Sequence, residues 1–127
     1  MKELTKAEEQ VMQYLWDLEK GFLKDIVEKF HEPSPAYTTI STVIRVLVRK
    51  GFISYHTYGK TNEYYPAVSR DKYFRGHVNT LITDYFDGSV VDFASFFTGD
   101  KEVDLTELEE IQRLLEMKIQ QIKEDEG

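Results

Sequence analysis

Apolar residues in the first half of the chain follow a helical period three times and then alternate with polar residues, an order that few folds share. The first helix is predicted over residues 6–19, because Thr5 and Glu8 have the spacing of a capping box and apolar residues recur after them. A second, shorter stripe runs from Leu23 to Phe30 and stops before two prolines, which cannot continue a helix. The chain is therefore expected to begin with two helices and a tight turn.

The third apolar stripe begins at Ala36 and ends at Gly51. Residues 52–58 and 62–68 then alternate apolar and polar on either side of a Gly-Lys-Thr turn, which predicts a β-hairpin. Three helices followed by a hairpin is the order of a winged helix-turn-helix domain, whose third helix enters the DNA major groove and whose hairpin, the wing, reaches the DNA backbone. The buried side of the third helix is predicted to carry Ile40, Val43, Ile44, Leu47 and Val48.

The second half of the chain is helical again. A helical period runs from Tyr73 to Phe86, a short apolar piece follows from Val90 to Phe97, and Asp104 caps a last helix. We predict a mainly α fold with a small β-hairpin: a winged helix-turn-helix DNA-binding domain over residues 1–70 and a helical dimerisation region over residues 71–127. A tail of about 50 residues cannot bury its apolar stripe alone, which predicts a homodimer. The predicted interface comprises Phe74, Leu81, Tyr85, Leu108, Ile111, Leu115, Ile119 and Ile122.

Charge is divided unevenly between the two halves. The net charge of −7 argues by itself against a nucleic-acid binder. Residues 1–76, however, carry 12 Lys and Arg against 10 Asp and Glu, whereas residues 77–127 carry 4 against 13. The segment from Ser34 to Asn62, which holds the third helix and the wing, has no acidic residue. Its coincidence with the fold pattern predicts that this acid-free segment binds double-stranded DNA.

Candidate DNA contacts are polar and basic residues of the acid-free segment: Tyr37, Thr38, Thr39, Ser41, Thr42, Arg45, Arg49 and Lys60. Short hydroxyls can contact base edges, thymine methyls or phosphates, and Arg45 can bind guanine or a phosphate. Tyr37 and Lys60 are expected to contact the DNA backbone, although Lys60 also fits an ordinary turn lysine. Arg49 and Lys50 fit phosphate contacts and solvated charges at a helix end equally well.

Other function classes find little support in the sequence. The chain has no cysteine, so it has no disulfide, no thiolate metal site and no cysteine nucleophile. Its three histidines are scattered, no phosphate-binding glycine loop occurs, and the pairs Glu8/Glu9 and Glu109/Glu110 are expected on exposed helix faces. We therefore expect neither an enzyme nor a cofactor or a metal. No apolar run suits a membrane span or a signal peptide, which predicts a cytoplasmic protein without membrane insertion.

Two runs of the chain carry a family resemblance: LTKAEEQVMQYLW at residues 4–16 and AYTTISTVIRVLVRKG at residues 36–51. Together with the wing ending in Tyr64, Tyr65 and Pro66, they resemble the penicillinase-repressor (BlaI/MecI-type) family, and the likeness extends from residue 4 to about residue 122. The resemblance implies a cytoplasmic, homodimeric transcriptional repressor. Each winged helix would read one half of a dyad operator, and the acidic C-terminal helices would make the dimer.

The resemblance also implies a way to release the operator. In the best-known members a membrane sensor with a zinc-metalloprotease domain triggers cleavage of an Asn-Phe bond in the C-terminal region. The corresponding bond here is Phe96–Phe97, with Asp92–Phe93 as the second choice. The alternative is that this segment is a buried packing element and that induction occurs by other means. Copper sensing through the C-terminal cysteine cluster of some relatives is excluded, since the chain has no cysteine.

Two other functions stay open at this point. The last helices of a winged-helix regulator can bind a small effector, which requires a sizeable apolar cavity in the dimer. A winged helix can also serve as a protein-binding module that never touches DNA.

Overall fold

The computed structural model describes residues 3–99 and 102–127. Its elements are, in chain order, α1 (Lys6–Leu18), β1 (Gly21–Phe22), α2 (Leu23–Glu28), α3 (Tyr37–Arg49), β2 (Ile53–Tyr58), β3 (Thr61–Pro66), α4 (Arg70–Phe86), α5 (Val90–Thr98) and α6 (Leu105–Glu126). The chain forms two units, one up to Asn79 and one from Thr80 onward, and the division falls within α4. Helices with a small antiparallel sheet confirm the predicted fold class.

The capping box predicted at the start of α1 is present. Thr5 Oγ1 accepts a hydrogen bond from the Glu8 amide at 3.2 Å, and Glu8 Oε1 accepts one from the Thr5 amide at 2.9 Å. Both amides belong to the set that a helix start leaves without partners, so the two side chains satisfy each other's backbone. The helix ends at Leu18, one residue before the predicted end.

The sheet contains a strand that the sequence did not predict. Gly21 and Phe22 form β1, which pairs with β3 opposite Tyr64 and Glu63, so the order of the sheet is β1-β3-β2. Gly21 is buried, and a Cβ at this position would lie 3.3 Å from the Cβ of Asp25. The predicted hairpin of β2 and β3 is confirmed. A strand of two residues has no periodicity that could predict it.

The core of the first unit lies between the three helices of its N-terminal half and the sheet. The predicted inner residues Ile40, Ile44 and Leu47 of α3 are buried, while Val43 and Val48 are partly buried and pack against the same core. Burial of this stripe leaves the opposite side of α3 facing solvent. The buried core consists of Val11, Met12, Leu15, Ile26, Ile40, Ile44, Leu47, Phe52, Ile53 and Tyr73.

The prediction that Glu8 lies on an exposed helix face is wrong, because the residue is buried. Its side chain is only 7% exposed, and Lys50 Nζ lies 2.8 Å from each of its carboxylate oxygens. Burial alone would raise the pKa of Glu8, but the hydrogen bond from Lys50, the Thr5 amide and the lysine charge together lower the pKa below its ordinary value. This ion pair joins the start of α1 to the residue that follows α3.

The start of α4 belongs to the core of the first unit. The Tyr73 hydroxyl accepts a hydrogen bond from the Leu4 amide at 3.1 Å, and the Tyr73 ring meets Phe52 edge-on with 5.8 Å between centroids. Trp16 Nε1 donates to the Val68 carbonyl at 2.9 Å. The domain boundary at residue 70 stays a prediction, but a chain cut there would lose Tyr73 from this core.

The second unit has aromatic contacts and much exposed apolar surface. Phe86 meets Phe93 at 5.8 Å and Phe96 at 5.9 Å between ring centroids, which joins the end of α4 to α5. Asp104 accepts a hydrogen bond from the Glu107 amide at 2.8 Å, which confirms it as the cap of α6. None of the described residues of α5 or α6 is buried.

We expect Glu8→Gln to lower the free energy of unfolding by roughly 1–3 kcal/mol, because Lys50 would keep its charge beside a neutral partner. The matched control is Asp17→Asn, which breaks the exposed 2.8 Å pair with Arg70 and should cost less than about 1 kcal/mol. Urea unfolding of the variants measures both. Equal losses for the two pairs would contradict a structural role for Glu8.

The same pair predicts a pH dependence. Because the folded pKa of Glu8 is lowered, its carboxylate stabilises the fold above the ordinary pKa of 4.5, and this contribution is lost as the pH falls through the folded pKa. The stability difference between the native chain and Glu8→Gln should therefore shrink as the solution is acidified below that value. A difference that stays constant with pH would contradict the lowered pKa.

Candidate functional site

The outer side of α3 carries the predicted site residues of that helix. Thr38, Thr39, Thr42, Arg45 and Arg49 are exposed, and Ser41 is half-buried. Tyr37, at the first turn, is 54% exposed. No acidic residue occurs along α3. The structure therefore places these hydroxyl and guanidinium groups on a solvent-facing surface without carboxylates of its own helix, which we call the outer face of α3.

Two features of the outer face determine which of its side chains can donate hydrogen bonds to a ligand. Thr42 Oγ1 donates a hydrogen bond to the Thr38 carbonyl at 2.9 Å, so its proton is already used, while its lone pairs and its methyl group remain available. Among the described residues, neither Arg45 nor Arg49 has a carboxylate within ion-pair distance. Both guanidinium groups are free to bind an anion or a base edge from solvent.

Lys50, unlike Arg45 and Arg49, already has an ion-pair partner. The sequence left it as a phosphate contact or a solvated charge at the helix end, and the structure instead pairs it with the buried Glu8. An anion would have to compete with a carboxylate at 2.8 Å for this lysine. Arg49 is thus the basic residue at the end of α3 that has no ion-pair partner among the described residues.

A groove of about 540 Å³ brings Tyr37 and Lys60 together. The start of α2 forms part of it, because β1 pairs with β3 and holds the preceding strand beside the wing. We call this the wing groove; none of its lining residues is acidic. Its lining consists of Phe22, Leu23, Lys24, Tyr37, Lys60, Thr61, Asn62 and Tyr64.

Lys24 and Asn62 are candidate site residues that sequence reasoning missed. Lys24 lies outside the acid-free segment, so the charge pattern did not include it. Asn62 lies at the end of that segment but had no recognisable role in a hairpin. Only the pairing of β1 with β3 brings Lys24 near the wing, and no local signal in the sequence predicts that pairing.

The predicted interface residues of the second half are largely exposed in the single chain. The most exposed are Tyr85 at 77% and Phe74 at 62%, while Leu108 and Ile111 are half-buried. Leu81, Leu115, Ile119 and Ile122 are also exposed. Exposed apolar side chains at this density are typical of a surface that another molecule covers.

The bonds considered for cleavage lie within α5. Phe96 is 73% exposed and Phe97 46% exposed, whereas Asp92 is exposed and Phe93 is half-buried. Phe97 also stacks on Phe93 with 6.5 Å between centroids. Phe96 is thus not sheltered within the single chain.

None of the helices in the described ranges is long and apolar enough to cross a membrane.

Comparison with known proteins shows similarity to a family model, to a curated protein and to a solved structure. The family model described as "Penicillinase repressor" matches residues 4–117. The penicillinase repressor of Bacillus licheniformis is 20% identical over 115 residues, which cover 90% of each chain. The solution structure of the DNA-binding domain of the repressor BlaI is similar with a TM-score of 0.50 and 25% identity, covering 57% of this chain and 94% of that one.

We expect substitutions on the buried side of α3 to lower the free energy of unfolding and substitutions on its exposed side to leave it almost unchanged. Ile44→Ala should lower the free energy of unfolding by about 2–5 kcal/mol, because it opens a cavity in the core. Arg45→Ala, the adjacent exposed position, should change it by no more than about 0.5 kcal/mol. Denaturant unfolding of both variants tests this, and a large loss for Arg45→Ala would show that the arginine holds the fold together.

Proposed function

The chain belongs to the penicillinase repressor family, and we propose that it acts as a homodimeric transcriptional repressor in which each winged helix binds one half of a dyad operator. The observation that carries this proposal is the outer face of α3, which exposes hydroxyl and guanidinium groups and no carboxylate. A helix with such a face can lie in the major groove, where threonine and serine contact base edges or thymine methyls and arginine reads guanine. We propose that the protein performs this function in the cytoplasm.

The uneven distribution of charge supports different roles for the two halves of the chain. Residues 77–127 carry 13 acidic against 4 basic residues, so this half is repelled by the phosphate backbone. Its exposed apolar residues, including Ile119 and Ile122 on α6, instead suit a surface shared with a second copy. The proposed role of the tail is to hold two DNA-binding heads at the spacing of two half-sites.

Release of the operator by proteolysis is the proposed switch. Cleavage at Phe96–Phe97, or at Asp92–Phe93 as second choice, would separate the head from α6 and dissolve the dimer. The exposure of Phe96 supports the first choice, although the helical backbone of α5 must unwind locally to enter a protease. A membrane sensor with a metalloprotease domain is the proposed trigger.

Binding should depend steeply on salt, because arginine and lysine contacts to phosphates release condensed counterions. We expect Arg45→Ala to weaken binding to a duplex selected from a random pool. The matched control is Arg113→Ala on α6, which removes the same charge from the tail and should leave the affinity unchanged. Fluorescence anisotropy between about 50 and 200 mM salt measures both. An affinity that is insensitive to salt would contradict the electrostatic part of the proposal.

Dimerisation should reside in the second half of the chain. Ile119→Glu should convert the full chain to monomers and weaken operator binding, since a tethered second head raises the effective concentration at the second half-site. Gln120→Glu adds the same charge at the next exposed position and should leave the dimer intact. A chain ending at Asn79, which keeps Tyr73, should also be monomeric. Sedimentation that shows a dimer for this shortened chain would move the interface into the winged helix.

Induced cells test the proposed switch directly. We expect mass spectrometry of repressor recovered after induction to show fragments that end at Phe96 or, as second choice, at Asp92. Recovery of full-length protein alone, while the target genes are already transcribed, would contradict cleavage as the switch.

A further inference from the structure

The wing groove gathers hydrogen-bond donors from three elements that are far apart in the sequence. Lys24 comes from α2, Tyr37 from α3, and Lys60 and Asn62 from the tip of the wing. We propose that this groove is a clamp that holds one phosphodiester of the DNA backbone between Lys24 and Lys60. The inference rests on the proposed operator binding and adds a contact made by α2.

Backbone pairing holds the two lysines on one groove. Phe22 pairs with Glu63 and Gly21 with Tyr64, which ties the segment before α2 to the wing. Asp25 Oδ2 accepts a hydrogen bond from the Phe22 amide at 2.9 Å and fixes the first turn of α2 against β1. Lys24 lies between Phe22, which pairs with β3, and Asp25, which bonds to the Phe22 amide. The sheet therefore determines the position of the Lys24 backbone.

The polar groups of the groove are suited to an anion. Both Lys24 and Lys60 are exposed, and within residues 3–99 and 102–127 neither forms an ion pair. Thr57 Oγ1 donates to Asn62 Oδ1 at 2.8 Å, which orients the side-chain amide and leaves its two N–H groups as donors. Two ammonium groups, an amide and a phenol hydroxyl match the acceptor oxygens of a phosphodiester.

The apolar part of the lining favours a sugar–phosphate unit over a bare ion. Phe22, Leu23 and Tyr64 contribute apolar walls to the groove. A volume of about 540 Å³ exceeds what a single phosphate fills and leaves room for the adjoining deoxyribose. Duplex backbone supplies both parts at once.

A phosphate held in the wing groove would also determine how the outer face of α3 is oriented on the duplex. Phosphate contacts carry no sequence information but set the register and orientation of a protein on the duplex. Because Tyr37 lines the wing groove and also starts α3, a backbone strand held there would set how the helix enters the major groove. Lys24 is therefore a positioning residue for recognition.

The experiment uses the full-length chain and a dyad duplex selected by it from a random pool. We expect Lys24→Ala and Lys60→Ala each to weaken binding roughly tenfold per half-site and to flatten the log–log salt slope by about 0.9 per lost contact. Lys72→Ala, which removes an exposed lysine of α4 that does not line the groove, should stay near the native affinity. Lys24→Arg should retain most of the native affinity for the duplex, because arginine keeps the positive charge.

Single methylphosphonate substitutions, which neutralise one phosphate at a time, test whether the lysines share a ligand. The clamp predicts that the native protein loses affinity at one phosphate of each half-site and that Lys24→Ala and Lys60→Ala both lose this sensitivity. Sensitivity at two different phosphates would overturn the clamp, as would Lys24→Ala behaving like Lys72→Ala. Native protein that selects no duplex would instead overturn the proposed function itself.

Discussion

Burial of one stripe of α3 is the constraint on which the rest of the structure depends. Ile40, Ile44 and Leu47 are almost completely buried, and this fixes the rotation of the helix about its axis. Every polar residue of the outer face owes its exposure to that rotation, since side chains on a helix cannot be turned independently. Loss of the stripe would therefore disrupt stability and recognition together.

A second contact fixes the same helix at its end. The ion pair of Glu8 with Lys50 ties the residue after α3 to the start of α1, where Thr5 and Glu8 also cap that helix. Glu8 thus satisfies a backbone amide and a lysine at once. Among the described residues, Arg45 and Arg49 on α3 and Lys60 on the wing form no ion pair, so the structure separates the lysine that holds the fold from these charges that face solvent.

Periodicity predicted the parts of the fold that depend on local sequence. The bounds of α1 and the hairpin followed from apolar spacing, and the cap of α1 followed from Thr5 and Glu8. Contacts between distant segments were not predicted: β1 is too short to show a period, and burial of Glu8 depends on Lys50. Lys24 was missed for the same reason, because only the pairing of β1 brings it to the wing groove. Local spacing discloses which residues share an element, whereas a site assembled from several elements depends on tertiary pairing.

We propose that the outer face of α3 reads duplex DNA as one of a symmetric pair. Selection of duplexes from a random pool by the full-length chain, followed by sequencing, tests it most directly. We expect enrichment of an inverted repeat whose half-sites lie about one helical turn of 10 base pairs, or a multiple of it, apart. Enrichment of no sequence, or of a single site without a repeat, would contradict it.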